Sequence, residues 1–579
     1  MNIIIDCIEC SMLKDIYRQI RFYKSPEILA AKIKKVILIC LLNSLSLWFI
    51  TIAQTHIYKF PPDTQYYARQ LPIFFWIGIA LCIITLILIL IKSYILNKNI
   101  YILDILNILL FITYIYGSPI FIYTNARIID VYAYTYYVIG TIVAEGHASA
   151  PLSLWFREYI VEFPGSGVLF SIIIKVLGIA SMSLAKYYPL YLMALLSFLI
   201  YAISKKVSKR FALLAPITYI SLTFIQEYNL APQSHALMLG ASFLLMIISL
   251  ITSNNIKTAS KKIIIIFLWI SILIAHPTTP IIILFSFLII ILICIGLNLI
   301  IEKKFIILDL PRDLLTRIKA IHIKLIILFS IIYISYIIYA ADFITYRIVT
   351  LYQKIMNDLI TGDMYLVASP LITNPSESYV MLYYARFIEL LSMMILGTLI
   401  VLILLFKAKL KNLDLVICLL FISYITISGF FALASKFLSS YGPDRGIIFA
   451  LIPFSILISM VFDTKFKATR LNYIKSILII YILILLIASP FTIFGSDPYN
   501  FVSESELSGM NFILKYPELG IDYQDIFVSD LGHSPYLNYW RNLQELKQQK
   551  GHEYAKSFLN QTQIYDGNLI KIHKGGTSH

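Results

Sequence analysis

Apolar residues in this chain come in bilayer-length blocks separated by short polar stretches. A membrane-crossing helix needs about 20 mostly apolar residues. Blocks of that kind recur near 36–54, 71–91, 100–123, 183–203, 211–226, 232–251, 262–277, 279–300, 324–342, 386–406, 412–434, 446–462 and 474–491. The pattern predicts an all-α polytopic membrane protein with about thirteen transmembrane helices. Residues 1–35 form a polar N-terminal segment, 36–491 the membrane domain, and 492–579 a polar tail. The tail reads helix-like at 503–515 and strand-like at 525–529, with an Asp566-Gly567 turn, so a small α/β domain is expected there.

One apolar stretch breaks the series. Residues 168–180 are short for a span and contain Lys175. If they crossed, Lys205, Lys206, Lys209 and Arg210 would fall on the outer side, against the bias of Lys and Arg toward cytoplasmic loops. The segment 164–180 is therefore read as a re-entrant or surface-lying helix within a large first external loop, 124–182. Backbone that only half-crosses is tolerated when packed on protein. A second large external loop, 342–385, carries Ile344, Ile348, Leu351, Ile355 and Leu359 at helical spacing, an amphipathic pattern suited to the bilayer interface.

Composition agrees: 59% of residues are hydrophobic and 14% charged, against roughly 25% charged in soluble domains. Lys and Arg number 47 and Asp and Glu 32, a net charge of +15. In a soluble protein that balance would suggest nucleic acid. Here the cations sit in short loops between apolar blocks, which sets topology instead: N-terminus cytoplasmic, C-terminus extracytoplasmic, in the cell membrane. Four of the six cysteines lie inside apolar blocks; Cys7 and Cys10 form a lone CxxC without a second ligand pair. No cleavable signal peptide is expected, since residues 1–30 lack a continuous apolar core.

Polar residues concentrate at the expected outer face. The first loop offers Asp130, Glu145, His147, Trp155, Arg157, Glu158 and Glu162, with Tyr132, Tyr134, Tyr136 and Tyr137 beside Asp130. A short loop offers Glu227 and His235; His276 ends another span; a late loop offers Lys436, Tyr441, Asp444 and Arg445. The interior holds few ionisable groups, Asp104 and Glu389 among them. Transporters usually keep binding groups near the midplane, whereas a one-sided layout suits chemistry between a membrane-dissolved substrate and an external one.

The layout resembles the GT-C superfamily of polytopic glycosyltransferases, which includes protein O-mannosyltransferases, aminoarabinose transferases and the catalytic subunit of oligosaccharyltransferase. The matching features are Ile129-Asp130 just after a span, the 140–146 stretch, Phe163-Pro164-Gly165, the apolar half-crossing segment, the later loop and the C-terminal domain. Two spans more than in most relatives precede the Asp130 loop. A DxD-like pair is absent from 226–235, and the tail has no WWD-like motif, which argues against an oligosaccharyltransferase.

The resemblance implies a sugar donor on a polyprenyl or dolichyl phosphate, a glycan, lipid or protein acceptor, and Asp130 as general base. Arg445, Arg386 and Lys436 would bind the donor phosphate. Glu227, His235, Tyr134, Trp155 and Glu145 would be auxiliary or sugar-contacting groups. The resemblance fixes no cofactor: a divalent metal could serve the leaving phosphate, although no ligand set for it is evident. Structural alternatives stay open for each residue. Asp130 could cap a helix, the tyrosines could form an interfacial belt, Arg445 could anchor a span end, and Arg386 could pair with Glu389 one turn on. A glycan transporter or flippase, or a non-catalytic scaffold, remains as an alternative function.

Overall fold

The computed structural model describes residues 26–57, 71–123, 134–140, 142–143, 146, 161–222, 230–252, 258–302, 312–341, 349, 353, 377–407, 412–434, 444–464 and 472–494. Every element among these residues is helical. Helices α1 (Pro26–Ile57) and α2 (Ile73–Leu96) form an antiparallel hairpin. Next comes α3 (Tyr101–Ile112), which continues through a π turn, Thr113–Gly117, into the short α4 (Ser118–Ile122). A π-helical segment, Tyr134–Gly140, and the 13-residue α5 (Gly165–Leu177) precede α6 (Ser181–Val207). The remainder is α7 (Leu214–Leu222), α8 (Pro232–Thr252), α9 (Thr258–Ala275), α10 (Thr278–Glu302), α11 (Arg312–Ala340), α12 (Glu377–Lys407), α13 (Asn412–Ala434), α14 (Asp444–Asp463) and α15 (Asn472–Phe494).

Ten of the described helical stretches are long and apolar enough to cross a membrane. Their outward faces carry large apolar side chains: Leu42 is 64% exposed, Ile73 65% and Ile338 62%. Such continuous apolar surface is unstable in water and is what a helix bundle shows to lipid. The chain is a multi-pass membrane protein.

Two helices behave differently. All nine residues of α7 are buried, as is every residue of α14 from Ile447 to Phe462. A helix that is apolar all round belongs inside, and these two pack on one another and on α6 at the centre of the bundle. Around them, Trp269 stacks on Phe329 with ring centroids 4.6 Å apart, tying α9 to α11.

The bundle has a basic end. There α2 stops at Asn97, which takes a left-handed conformation (φ 52°) and whose N–H bonds the last turn. Asn99 donates to the Ser208 carbonyl at 3.1 Å and accepts from the Ala212 N–H at 3.3 Å, so the α2–α3 and α6–α7 links meet. Arg210 pairs with Asp463 at 2.7 Å, and Lys475 donates to the Phe462 and Thr464 carbonyls at 3.1 and 2.8 Å. These bonds fasten the end of α14 to the starts of α7 and α15.

The boundaries differ from the apolar blocks in a systematic way. Helix α1 begins ten residues before the block at 36, and α12 nine residues before the block at 386. Apolarity marks the slab that lipid touches, whereas intrahelical hydrogen bonds continue past it into the headgroup region. The expected C-terminal α/β domain lies outside the described residues, as does most of 342–385; α15 itself runs to Phe494, just past the expected domain start at 492.

Candidate functional site

At the end opposite the basic one, the chain after the first loop is clamped in place. Pro164 caps α5 and cannot donate an N–H, which a first helical turn does not require. Gly165 presses on the end of α9: a Cβ there would lie 2.8 Å from Ile274 Cγ1 and 2.9 Å from the Ile274 carbonyl oxygen. A Cβ at Gly167 would lie 2.9 Å from both Val138 and Ile142. The run Gly165-Ser166-Gly167 is thus as close to its neighbours as backbone allows. Upstream, the Tyr336 hydroxyl donates to the Glu162 carbonyl, and Phe163 packs on the Tyr336 ring with centroids 5.9 Å apart.

Helix α5 is about 20 Å long at 1.5 Å per residue, too short for a hydrocarbon core of about 30 Å. Gly178, at φ 63°, ends it in a left-handed C-cap and turns the chain into α6. A short apolar helix is what the sequence predicts at this place.

Between Gly165 and Gly167, Ser166 points at α8. Its hydroxyl lies 2.9 Å from His235 Nδ1, and both residues are buried. The His235 ring also rests against Phe170, with centroids 5.5 Å apart. Next to α9, His276 Nδ1 lies 2.9 Å from Thr279 Oγ1 and 3.1 Å from Thr278 Oγ1, at the start of α10. The same end holds Arg386, whose Nε donates to the Thr492 carbonyl at 2.8 Å, one turn from the buried Glu389.

Of the residues singled out from sequence, the structure places Tyr134, His235 and Arg386 at this end. Tyr134 is buried, and its hydroxyl would lie 3.7 Å from a Cβ at Gly167, so it packs against α5. Arg386 ties α12 to α15. Arg445 is in the first turn of α14 by its backbone. Asp130, Glu145, Trp155, Glu227 and Lys436 lie outside the described residues. Ser166 and Tyr336 were not singled out from sequence. The glycines flanking Ser166 are the signal that a close backbone approach occurs there, but its histidine partner is 69 positions away.

Among the described residues, no three His, Cys, Asp or Glu side chains gather as a metal site would need. No protein-family model matches the chain, and no curated protein matches it in sequence.

Proposed function

We propose that this chain is a membrane glycosyltransferase of GT-C layout. It would move a sugar from a polyprenyl or dolichyl phosphate to a glycan, lipid or protein acceptor at the membrane face opposite the basic end. The observation that carries the reading is the short helix α5, held by Gly165 and Gly167 against α9 and the Tyr134–Gly140 segment, at the end of the bundle that also gathers His235, His276 and Arg386. A fixed half-crossing helix beside a long loop gives a lipid-borne donor and a water-borne acceptor a common edge.

In this reading the chain crosses thirteen times, the ten span-length stretches being joined by the sequence blocks 211–226, 262–277 and 446–462. The basic end faces the cytoplasm, where Lys and Arg concentrate. Asp130, four positions before Tyr134 in the sequence, takes the proton of the acceptor hydroxyl as that oxygen attacks the anomeric carbon. The lipid phosphate leaves toward Arg445 or Lys436, since Arg386 is engaged with Thr492.

Transfer from a radiolabelled polyprenyl-phosphate sugar, by purified protein in lipid nanodiscs, tests this. Asp130→Asn is expected to lower turnover by about 10²–10⁴-fold with the chain still folded. Turnover unchanged in that variant sinks the assignment of Asp130. A second reading, transport of a lipid-linked glycan, is favoured by the buried carboxylates Asp104 and Glu389. Counterflow in proteoliposomes without bond formation would support it.

A further inference from the structure

Helices α3 and α6 share a polar stripe well inside the bundle, near its basic end. They run antiparallel: Tyr201 meets Asp104, while Leu190 lies 3.6 Å from where a Cβ of Gly117 would be. In that register Asn107, one turn beyond Asp104, is level with Ser197, one turn before Tyr201. Exposure is 1% for Asp104 and 0% for Asn107 and Ser197.

The hydrogen bonds in the stripe are one-sided. The Tyr201 hydroxyl donates to Asp104 Oδ2, and Asn107 Nδ2 donates to the Cys82 carbonyl at 3.3 Å. Among the described residues, Asp104 Oδ1, Asn107 Oδ1 and Ser197 Oγ have no hydrogen-bond partner. Buried oxygens are rarely left so, and a buried carboxylate calls for a counter-charge. The Lys205 ammonium sits 3.5 Å from the centre of the Tyr101 ring and attracts Asp104 through space, without an ion pair between them among the described contacts.

We propose that Asp104 Oδ1, Asn107 Oδ1 and Ser197 Oγ form a buried site for one monovalent metal cation of sodium or potassium size. A carboxylate, an amide carbonyl and a hydroxyl are hard oxygen donors, which suit hard cations rather than zinc or copper. The single carboxylate matches a single charge. Tyr201 and Cys82 hold the carboxylate and the amide from outside, as supporting groups do around metal ligands. The cation neutralises the stripe and locks α3 against α6. Protonation of Asp104 is the competing way to remove the charge, and the measurement separates the two.

The full chain, purified in detergent, is equilibrated with radioactive sodium or rubidium, with N-methylglucamine as the balancing cation. Saturable uptake of either isotope, about one per chain, is expected, together with a higher unfolding temperature in that salt than in N-methylglucamine. Ser197→Ala removes one ligand with little change of volume, and should weaken binding by about tenfold or more. Asp104→Asn should abolish it. Saturable binding of neither isotope, or binding unchanged in both variants, overturns the proposal. Should Asp104→Asn fail to fold, Ser197→Ala alone decides the matter, through its binding curve and the loss of the salt-dependent unfolding shift.

Discussion

Gly78 leaves a gap that Tyr114 fills. A Cβ at that position would fall 1.8 Å from the Tyr114 hydroxyl oxygen and 2.5 Å from Cζ. Tyr114 cannot step aside cheaply, because it is fully buried and its hydroxyl donates to the Ser44 carbonyl at 2.6 Å. Ser44 in turn donates to the Gly78 carbonyl at 2.9 Å, so three helices meet at this point. Gly78→Ala is expected to cost about 1–3 kcal/mol, the usual range for overpacking. Thermal unfolding in detergent checks it: an unfolding temperature equal to that of the wild type would mean that Tyr114 has room. At this scale the sequence was partly legible. Asp104 and Glu389 stand out among apolar neighbours by type alone. Tyr201 does not, since it pairs with Asp104 across 97 positions and sits on a helix rich in other tyrosines.

Among the elements, the helix expected over 164–180 is present as α5, Gly165–Leu177. Its length, its Lys175 and the side-keeping of the cations after it are the sequence argument against a crossing. The glycines that hold it make a sharper prediction. Gly165→Ala places a methyl against the Ile274 carbonyl, backbone that cannot rotate away, and should displace the start of α5. Ser166→Ala only removes the bond to His235, worth about 1 kcal/mol. Protease accessibility should therefore rise more in Gly165→Ala than in Ser166→Ala; equal patterns would mean that the clamp is not steric. The interior helices were less legible. Blocks at 211–226 and 446–462 look like any other span, because apolarity reports removal from water and does not distinguish lipid from protein as the surrounding.

For the whole molecule, the sidedness proposed for its two ends can be tested without knowing the chemistry. Lys98 follows α2 at the basic end and Ala180 follows α5 at the other, and both are exposed. With the native cysteines replaced, Lys98→Cys and Ala180→Cys are expected to react with an impermeant maleimide from opposite sides of a sealed vesicle. Labelling from the same side would break the alternation and with it the thirteen-crossing proposal. The candidate site was legible at this scale only as a direction. The cation bias along the sequence leads to the expectation of polar residues at one face, but the residues carrying the proposed chemistry, Asp130 above all, lie outside the described residues. The contacts that organise that face, Gly165 on Ile274 and Tyr336 on Glu162, join segments far apart in the chain and leave no local periodicity.

The π turn at Thr113–Gly117 carries a mechanical consequence. There the Ser118 N–H reaches back five residues to the Thr113 carbonyl, and Pro119 follows with no N–H to give. Such a turn holds one residue more than α geometry needs. Excising a single residue there would restore the ordinary winding and swivel the downstream segment by about 100°. Ser118 would swing off Trp48, whose indole N–H donates to it at 2.9 Å, and α1 would lose its latch on α4. One surplus residue thus acts as a wedge that aims the chain into its first long loop.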